Sequence, residues 1–480
     1  MATPIKFGTD GWRAIIGRDF TYDNLARVTQ AAGLWLKQQT VNLSQTGQPQ
    51  VMLGYDCRFE GAAFARAVGN QLAQQGIKVF LSPGFVSTPM VSLATLQRQC
   101  TAGIILTASH NPPSYNGFKI KAHYGGPASP SMITAVEALI PDATPAVADR
   151  FDELVDSRQI EYYDMEALYI NHVRMSFDLD AIKKSGLAIG YDAMFGAGQA
   201  VMHKLFPNSE FPNTHFLHAE FNPSFLGQAP EPIERNLGPF QELVRSKKIP
   251  FGLATDGDAD RIGLFDDRGV FIDSHHILLL LVHYLGKVKG MKGKVVYTFS
   301  CTSKIAELCE AYGIPYEYTK IGFKYIAEIM TKEPVLVGGE ESGGIAVMGH
   351  APERDGIYIG LMLLEAMAKT GKTLKQLIDE VYAVTGPFAV ERNDLHLTEE
   401  QKQAVLKKAK GGGWSSFGPF KVMKEEDLDG YKYHLQQHSN PIGWVLIRPS
   451  GTEPVLRVYA EAPDRTTAEM ILSAVQGEIL

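Results

Sequence analysis

Four short polar segments carry the residue types that do chemistry, and each follows an apolar run of strand character. The first is TASHNP (107–112), with Ser109 just beyond the run 103–106 and Lys119 ten residues further on. A serine hydroxyl at a strand end can act as a nucleophile or phosphate carrier, with His110 beside it and Lys119 able to return as acid, base or charge clamp. The second is DGDADR (256–261). Asp256, Asp258 and Asp260 alternate on a loop that Gly257 allows to bend, a spacing that lets three carboxylates converge on one hard cation. Arg261 follows directly and would balance their charge or hold a phosphoryl oxygen. The third, GGEESGG (338–344), brings carboxylates next to glycines, as a polyhydroxyl ligand would require. The fourth is RPSGTEP (448–454), with Arg457 beyond it. Arginine, serine, glycine and threonine together make an oxyanion cradle without the spacing of a nucleotide P-loop.

Each segment, taken singly, also reads as a solvated turn. Together they specify a nucleophilic hydroxyl, a hard metal, carboxylates for sugar hydroxyls and an arginine cradle for phosphate. That combination points to phosphoryl transfer on a phosphorylated sugar, in a cleft to which four domains each contribute one loop. GxSxG is absent, which argues against an esterase. The aspartate loop lacks the twelfth-position Glu and flanking helices of an EF-hand.

The elements that would position these loops alternate. Helical periodicity at 24–38, 60–75, 163–176, 302–312 and 357–368 is interleaved with strand runs at 51–55, 77–81, 103–106, 187–191, 251–255, 295–299 and 335–337. This predicts an α/β fold: three similar α/β domains with mixed sheets. After residue 385 a charged helix (398–410), short alternating strands and a closing helix (466–476) predict a smaller C-terminal α+β domain. The acidic, Ala- and Pro-rich stretch 138–154 marks a boundary. The expected domains are 1–147 (bearing the serine loop), 148–265 (metal-binding), 266–384 (sugar recognition) and 385–480 (phosphate-binding), with a hinge near 380–392.

Bulk properties narrow the classes. The 480 residues are 45% hydrophobic and 21% charged, with a formal charge of −7 and 46 glycines. A weakly acidic chain has no broad surface for nucleic-acid phosphates. The four cysteines, Cys57, Cys100, Cys301 and Cys309, form no CxxC pair, and the N-terminal segment has neither signal nor transit character. The longest apolar run, 277–282, is far short of the ~20 residues that span a bilayer. The expectation is a cytoplasmic protein, monomeric or weakly dimeric, whose partner is a small phosphosugar and neither a membrane nor a nucleic acid.

The four motifs, in this order and at these separations, resemble the α-D-phosphohexomutase family over essentially the whole chain, with FGTDGWR (7–13) similar to its N-terminal active-site segment. The resemblance implies a four-domain architecture with the active site in the central cleft. It implies that Ser109 is phosphorylated in the resting enzyme, and that Asp256, Asp258 and Asp260 hold Mg²⁺ with a phosphoryl oxygen on Ser109. Arg13, His110, Lys119 and Arg261 would surround the transferring phosphoryl, and Lys320 would face the substrate from the third domain. Glu340 and Ser342 would read sugar hydroxyls. Arg448, Ser450, Gly451 and Thr452 would cradle the unreactive phosphate, supported by Arg457. Lys119 is the first candidate for the base, with His110 or Lys320 as alternatives. One departure stands out: many dual-specificity members close the sugar loop as GExSGH, and here that position is Gly344. The implied activity is a phosphoglucomutase that works through glucose 1,6-bisphosphate. The alternatives are a phosphomannomutase or dual-specificity enzyme, a glucose-1,6-bisphosphate synthase, a phosphoglucosamine mutase and, from another class, a non-catalytic phosphosugar-binding protein.

Overall fold

The computed structural model describes residues 4–8, 10–39, 47–449 and 455–479. Four sheets succeed one another along the chain. The first has six strands in the order Trp12–Ile15, Tyr115–Ala122, Ala102–Leu106, Gln50–Tyr55, Lys78–Leu81 and Ile160–Tyr162. Its centre is parallel and the Tyr115–Ala122 strand runs antiparallel beside Ala102–Leu106. The second orders Phe271–Ile272, Ile262–Phe265, Phe251–Thr255, Ile189–Asp192 and Thr214–Leu217. The third orders Tyr316–Thr319, Lys294–Thr298, Val335–Gly339 and Ile345–Val347. The fourth is six-stranded and antiparallel throughout. The chain therefore builds three α/β domains with mixed sheets and a C-terminal α+β domain.

The strands that deliver the first three polar loops are continuous buried runs because helices cover both faces of their sheets. Ala102–Leu106 and Phe251–Thr255 are buried at every position. Helix Tyr22–Gln38 starts where the Thr21 side chain accepts the Asn24 N–H, and it buries Leu25, Val28, Ala32, Trp35 and Leu36 along one face. Helix Glu399–Lys410 is opened by a capping box of Thr398 and Gln401.

The stretch that composition marks as a boundary is strapped to the first domain. Asn70 Nδ2 donates to Ala148 O at 2.9 Å, Phe151 and Leu154 enter the first domain's core, and Ile160–Tyr162 pairs with Lys78–Leu81. Acidic, Pro-rich composition hid these anchoring apolar residues, so the first sheet draws on chain beyond the expected limit at 147.

Three cores dominate. The first domain has one of its own, around Trp12, Leu36, Phe64, Ile104 and Phe118. Another runs continuously through the first three domains, from Met52, Met90 and Ile105 through Tyr191, Leu253 and Ile262 to Leu278, Val337 and Leu364. The C-terminal domain has its own, around Phe417, Tyr433, Ile447, Val458 and Ile471. Where the C-terminal domain meets the third, a small cluster brings Phe299 against Trp444, Leu446 and Tyr459. The connection is short: helix Leu374–Thr385 ends at Gly386 (φ 71°) and strand Ala389–His396 begins three residues later. All four cysteines are buried free thiols, and among the described residues no helix is long and apolar enough to cross a membrane.

Candidate functional site

Ser109 is fixed by its own backbone before any ligand arrives. It adopts φ 53°, a left-handed conformation that costs a serine about 1–3 kcal/mol and persists only when its surroundings enforce it. The enforcement is visible. Thr107 Oγ1 accepts the Ser109 N–H at 2.8 Å and donates to Asp56 Oδ2 at 2.5 Å. The buried guanidinium of Arg58 donates to four carbonyls of the same loop: Ser109 O (2.7 Å), Asn111 O (2.7 Å), Pro112 O (2.9 Å) and Tyr115 O (2.8 Å). Burial pushes the Asp56 carboxyl up to about 6 against the opposing pull of Arg58. The Ser109 hydroxyl donates to Asp256 Oδ2 at 2.7 Å, and His110 Nδ1 is 3.4 Å from Ser109 Oγ.

The aspartate loop abuts the serine loop backbone to backbone. A Cβ on Gly257 would lie 2.5 Å from Ser109 O, so only glycine fits there. Asp256, Asp258 and Asp260 are fully buried, and their ligand oxygens lie within 4.8 Å of one another, as one metal ion would need. Asp256 Oδ1 accepts the backbone N–H groups of Asp260 (2.9 Å) and Arg261 (3.1 Å). Asp258 Oδ2 accepts Thr88 Oγ1 (2.5 Å) and Lys119 Nζ (2.8 Å). Asp258 Oδ1 and Asp260 Oδ1 are buried and have no hydrogen-bond partner. Two orphaned anionic oxygens in a dry site are costly unless a cation takes them, so the set fits a hard divalent ion. Burial, reinforced by Asp258 and Asp260, holds the Asp256 carboxyl well above the usual range. For Asp258 burial acts the same way, but the Lys119 ammonium outweighs it and lowers the carboxyl.

Lys119, fully buried, touches Asp10 (2.9 Å), Asp258 (2.8 Å) and Asp260 (3.4 Å). Burial disfavours its charge, but those three carboxylates prevail and keep it protonated. Arg354 completes the knot: its Nη2 donates to Asp10 Oδ2 at 2.5 Å and Asp260 Oδ2 at 2.7 Å. Lys121 pairs with Glu353 at 2.6 Å, and Ser92 donates to the same carboxylate at 3.0 Å. Three domains thus meet through Asp10, Asp260 and Arg354. Arg58, Thr88, Glu353 and Arg354 escaped the sequence reading, and Asp10 sits inside FGTDGWR, where only Arg13 was given a role. For Arg58 a signal existed, since Asp56 and Arg58 closely follow the apolar strand Gln50–Tyr55.

Comparison with known proteins bears on this arrangement. Family models match all four domains: phosphoglucomutase/phosphomannomutase α/β/α domain I at residues 4–146, domain II at 167–269, domain III at 273–384 and the C-terminal domain at 422–476. A crystal structure from Thermus thermophilus, provisionally described as a phosphomannomutase, is 34% identical, with both chains fully covered and a TM-score of 0.86.

The chain belongs to the α-D-phosphohexomutase superfamily.

Among curated relatives, a phosphoglucomutase/phosphomannomutase of Thermococcus kodakarensis is 29% identical over 97% of this chain and 96% of its own. A phosphoglucosamine mutase of Limosilactobacillus fermentum is also 29% identical, over 98% and 96%. As a phosphohexomutase the chain is an enzyme of phosphoryl transfer and isomerisation.

The remaining residues singled out in this phosphohexomutase lie around the knot or in the C-terminal domain. Arg13 Nη1 donates to Asn111 Oδ1 at 2.7 Å, on the serine loop. Arg261 faces Glu231 at 3.5 Å, and its buried Nε has no partner. Burial, with Arg261 and Arg13 nearby, depresses the His110 imidazole well below its ordinary value, so it is neutral. The sugar loop meets the metal loop where Ile262 N donates to Gly343 O at 3.2 Å. Glu340 is buried, and burial pushes its carboxyl up to about 7 even though Arg354 pulls it down. Ser342 is half-buried beside it. Lys320 is exposed at the end of strand Tyr316–Thr319, outside the buried cluster. Arg448 and Arg457 stand opposite each other on neighbouring antiparallel strands. Ser450, Gly451 and Thr452 lie outside the described residues.

Proposed function

We propose that this phosphohexomutase is a phosphoglucomutase, interconverting α-D-glucose 1-phosphate and glucose 6-phosphate through glucose 1,6-bisphosphate. The observation that carries the chemistry is Ser109 Oγ on Asp256 at 2.7 Å, beside the two orphaned oxygens of Asp258 and Asp260. A nucleophile at the rim of an all-oxygen cation site suits transfer of a phosphoryl group from phosphoserine to a sugar hydroxyl.

In this reading Asp256, Asp258 and Asp260 hold Mg²⁺, which when bound supplies neutralisation of charge on the transferring phosphoryl group. Arg58 and Thr107 keep Ser109 aimed at one point, so little orientation remains to be found on reaction. Protonated Lys119 clamps a phosphoryl oxygen, with Arg13 and Arg261 on its flanks. The neutral imidazole of His110, 3.4 Å from Ser109 Oγ, is the proton acceptor that the geometry favours over Lys119, whose proton three carboxylates retain. Lys320 stays a candidate for substrate contact. Glu340 and Ser342 accept sugar hydroxyls in either orientation of the hexose. Arg448, Arg457, Ser450, Gly451 and Thr452 hold the phosphate that is not reacting, in each orientation in turn.

The choice of sugar rests on the loop that closes with Gly344, where many dual-specificity members carry a histidine. The test is conversion of glucose 1-phosphate, mannose 1-phosphate and glucosamine 1-phosphate with Mg²⁺ and catalytic glucose 1,6-bisphosphate. Preference for glucose 1-phosphate, lost in Ser109→Ala, is the expected result. Faster use of either other sugar overturns the substrate assignment, and net accumulation of bisphosphate makes the enzyme a synthase of its own intermediate.

A further inference from the structure

Arg448 is half-exposed, and a long cation at a phosphate cradle binds well only if its plane is fixed beforehand. The structure supplies one carboxylate for this. Asp429 meets Arg448 along one edge of the guanidinium, Oδ1 to Nε and Oδ2 to Nη2, both at 3.4 Å. Among the described residues the Arg448 guanidinium has no other hydrogen-bond partner, so Nη1 and the outer Nη2 hydrogen can fork onto an anion. Asp429 also receives the Ile321 N–H on Oδ2 at 2.8 Å. Ile321 belongs to the third domain and directly follows Lys320. One side chain of the C-terminal domain therefore touches a cradle arginine and the segment that carries the substrate-facing lysine.

The local backbone is shaped for this contact. Asp429 lies in the turn between strands Phe420–Glu426 and Tyr431–Gln437, and the next residue is Gly430 with φ 93°. A Cβ at Gly430 would sit 2.7 Å from Ile447 O and 3.1 Å from Arg448 Cβ, so only glycine lets the turn lie against Arg448. Across the sheet stands Arg457, its buried Nε unpartnered. Two neighbouring guanidinium groups repel, and a single carboxylate offsets one of them. The remaining positive charge suits a phosphate dianion.

We infer that Asp429 is a positioning residue of this site: it orients Arg448 for the non-reacting phosphate and ties the cradle to the loop after Lys320. The inference rests on the reading of Arg448 as a phosphate ligand. Asp429 does not touch the sugar or the transferring phosphoryl.

The test is a double-mutant cycle on the full-length enzyme with Asp429→Asn and Arg448→Lys. Asparagine keeps the size and an acceptor for Ile321 N–H while removing the charge that steers the guanidinium. The readouts are the Kd of inorganic phosphate by ³¹P NMR titration, and KM and kcat for glucose 1-phosphate. Arg448→Lys alone checks the cradle: phosphate binding should weaken about tenfold, and if it does not, the cradle reading falls and this proposal with it. Asp429→Asn should weaken phosphate binding and raise KM by about tenfold, with a far smaller change in kcat, and should add little in the Arg448→Lys background. A structural role alone would give additive losses and lowered thermal stability in both backgrounds, which overturns the proposal. So would unchanged or tighter phosphate binding in Asp429→Asn, the latter marking Asp429 as a competitor of the anion.

Discussion

A Cβ added to Gly344 would lie 2.4 Å from Cδ of Arg354 and 3.3 Å from Oε2 of Glu340. The arginine passes through the space that any larger residue at the end of the sugar loop would need. Gly344→Ala is therefore expected to displace Arg354 from Asp10 and Asp260, lowering kcat/KM by about tenfold or more. Gly344→His should do worse than Gly344→Ala, and Gly344→His combined with Arg354→Ala better than Gly344→His alone. Steady-state kinetics on the four proteins decides it; equal activity of Gly344→His and wild type would mean that Arg354 is not confined.

Ser109 is expected to carry one phosphate in the active enzyme. Intact-mass measurement should find it on the wild type after incubation with glucose 1,6-bisphosphate and Mg²⁺, and not on Ser109→Ala. The variant should turn over at least about a thousandfold more slowly. Label on another residue would displace Ser109 from its role.

Mg²⁺ should stabilise the folded chain without any substrate, because it relieves the repulsion that burial imposes on Asp256, Asp258 and Asp260. At a hundred times its Kd the gain is about 2.7 kcal/mol, visible as a raised Tm in calorimetry. Chelation should reverse the gain and abolish turnover, and Asp258→Asn should respond far less to the metal. An equal rise in Tm in that variant would place the ion elsewhere.

Arg58→Met removes the group that staples four carbonyls and strands Asp56 in the core. Breaking a buried pair from one side costs about 3–5 kcal/mol. Chemical denaturation should register that loss, and activity should fall with it because Ser109 loses its enforced backbone. Full activity in a destabilised protein would separate the staple from catalysis.

Lys432 gives the expected pH dependence. It is buried between the rings of Phe299 and Trp444, 4.4 and 4.2 Å from their centroids, and donates to Phe299 O. Burial pushes its ammonium down to about 8, against the pull of Glu461. An unfolded lysine titrates near about 10.4, so between those values the unfolded chain holds more protons and stability rises with pH. Below about pH 8 the penalty is fully present. Lys432→Met should be the more stable protein at pH 7, by about 1–3 kcal/mol after the two rings and the carbonyl return part of the cost, with the gap closing toward pH 10. Parallel stability curves for the two proteins would contradict this.

What sequence made legible follows from where the chemistry sits. Thr107, Asp256 and Glu340 each come directly after an apolar strand, so a polar cluster at that junction can be read locally. The alternation of elements likewise predicted the four sheets. Arg354 could not be read that way, because it belongs to no conspicuous run and its partner Asp10, within FGTDGWR, is 344 positions distant. Arg58 is an intermediate case: it stands just past the strand Gln50–Tyr55, but the carbonyls it staples begin 51 residues downstream. Helix Phe151–Asp156 was masked by acidic neighbours, and Phe151 shows its role only once folded, buried in the first domain's core with the guanidinium of Arg66 4.0 Å from its ring.

The core that runs unbroken through the first three domains also governs how the molecule comes apart. Met52, Leu253 and Leu364 share one interior, which couples the faces those domains turn to one another, while the first domain also keeps a core of its own around Leu36, Phe64 and Phe118. The C-terminal domain, with Trp444 and Tyr459 resting on Phe299 and its own interior around Tyr433 and Ile471, can melt or refold as a separate cooperative block. Heating would then divide the chain near Gly386 before it parts the other two domain borders, which the shared interior bridges.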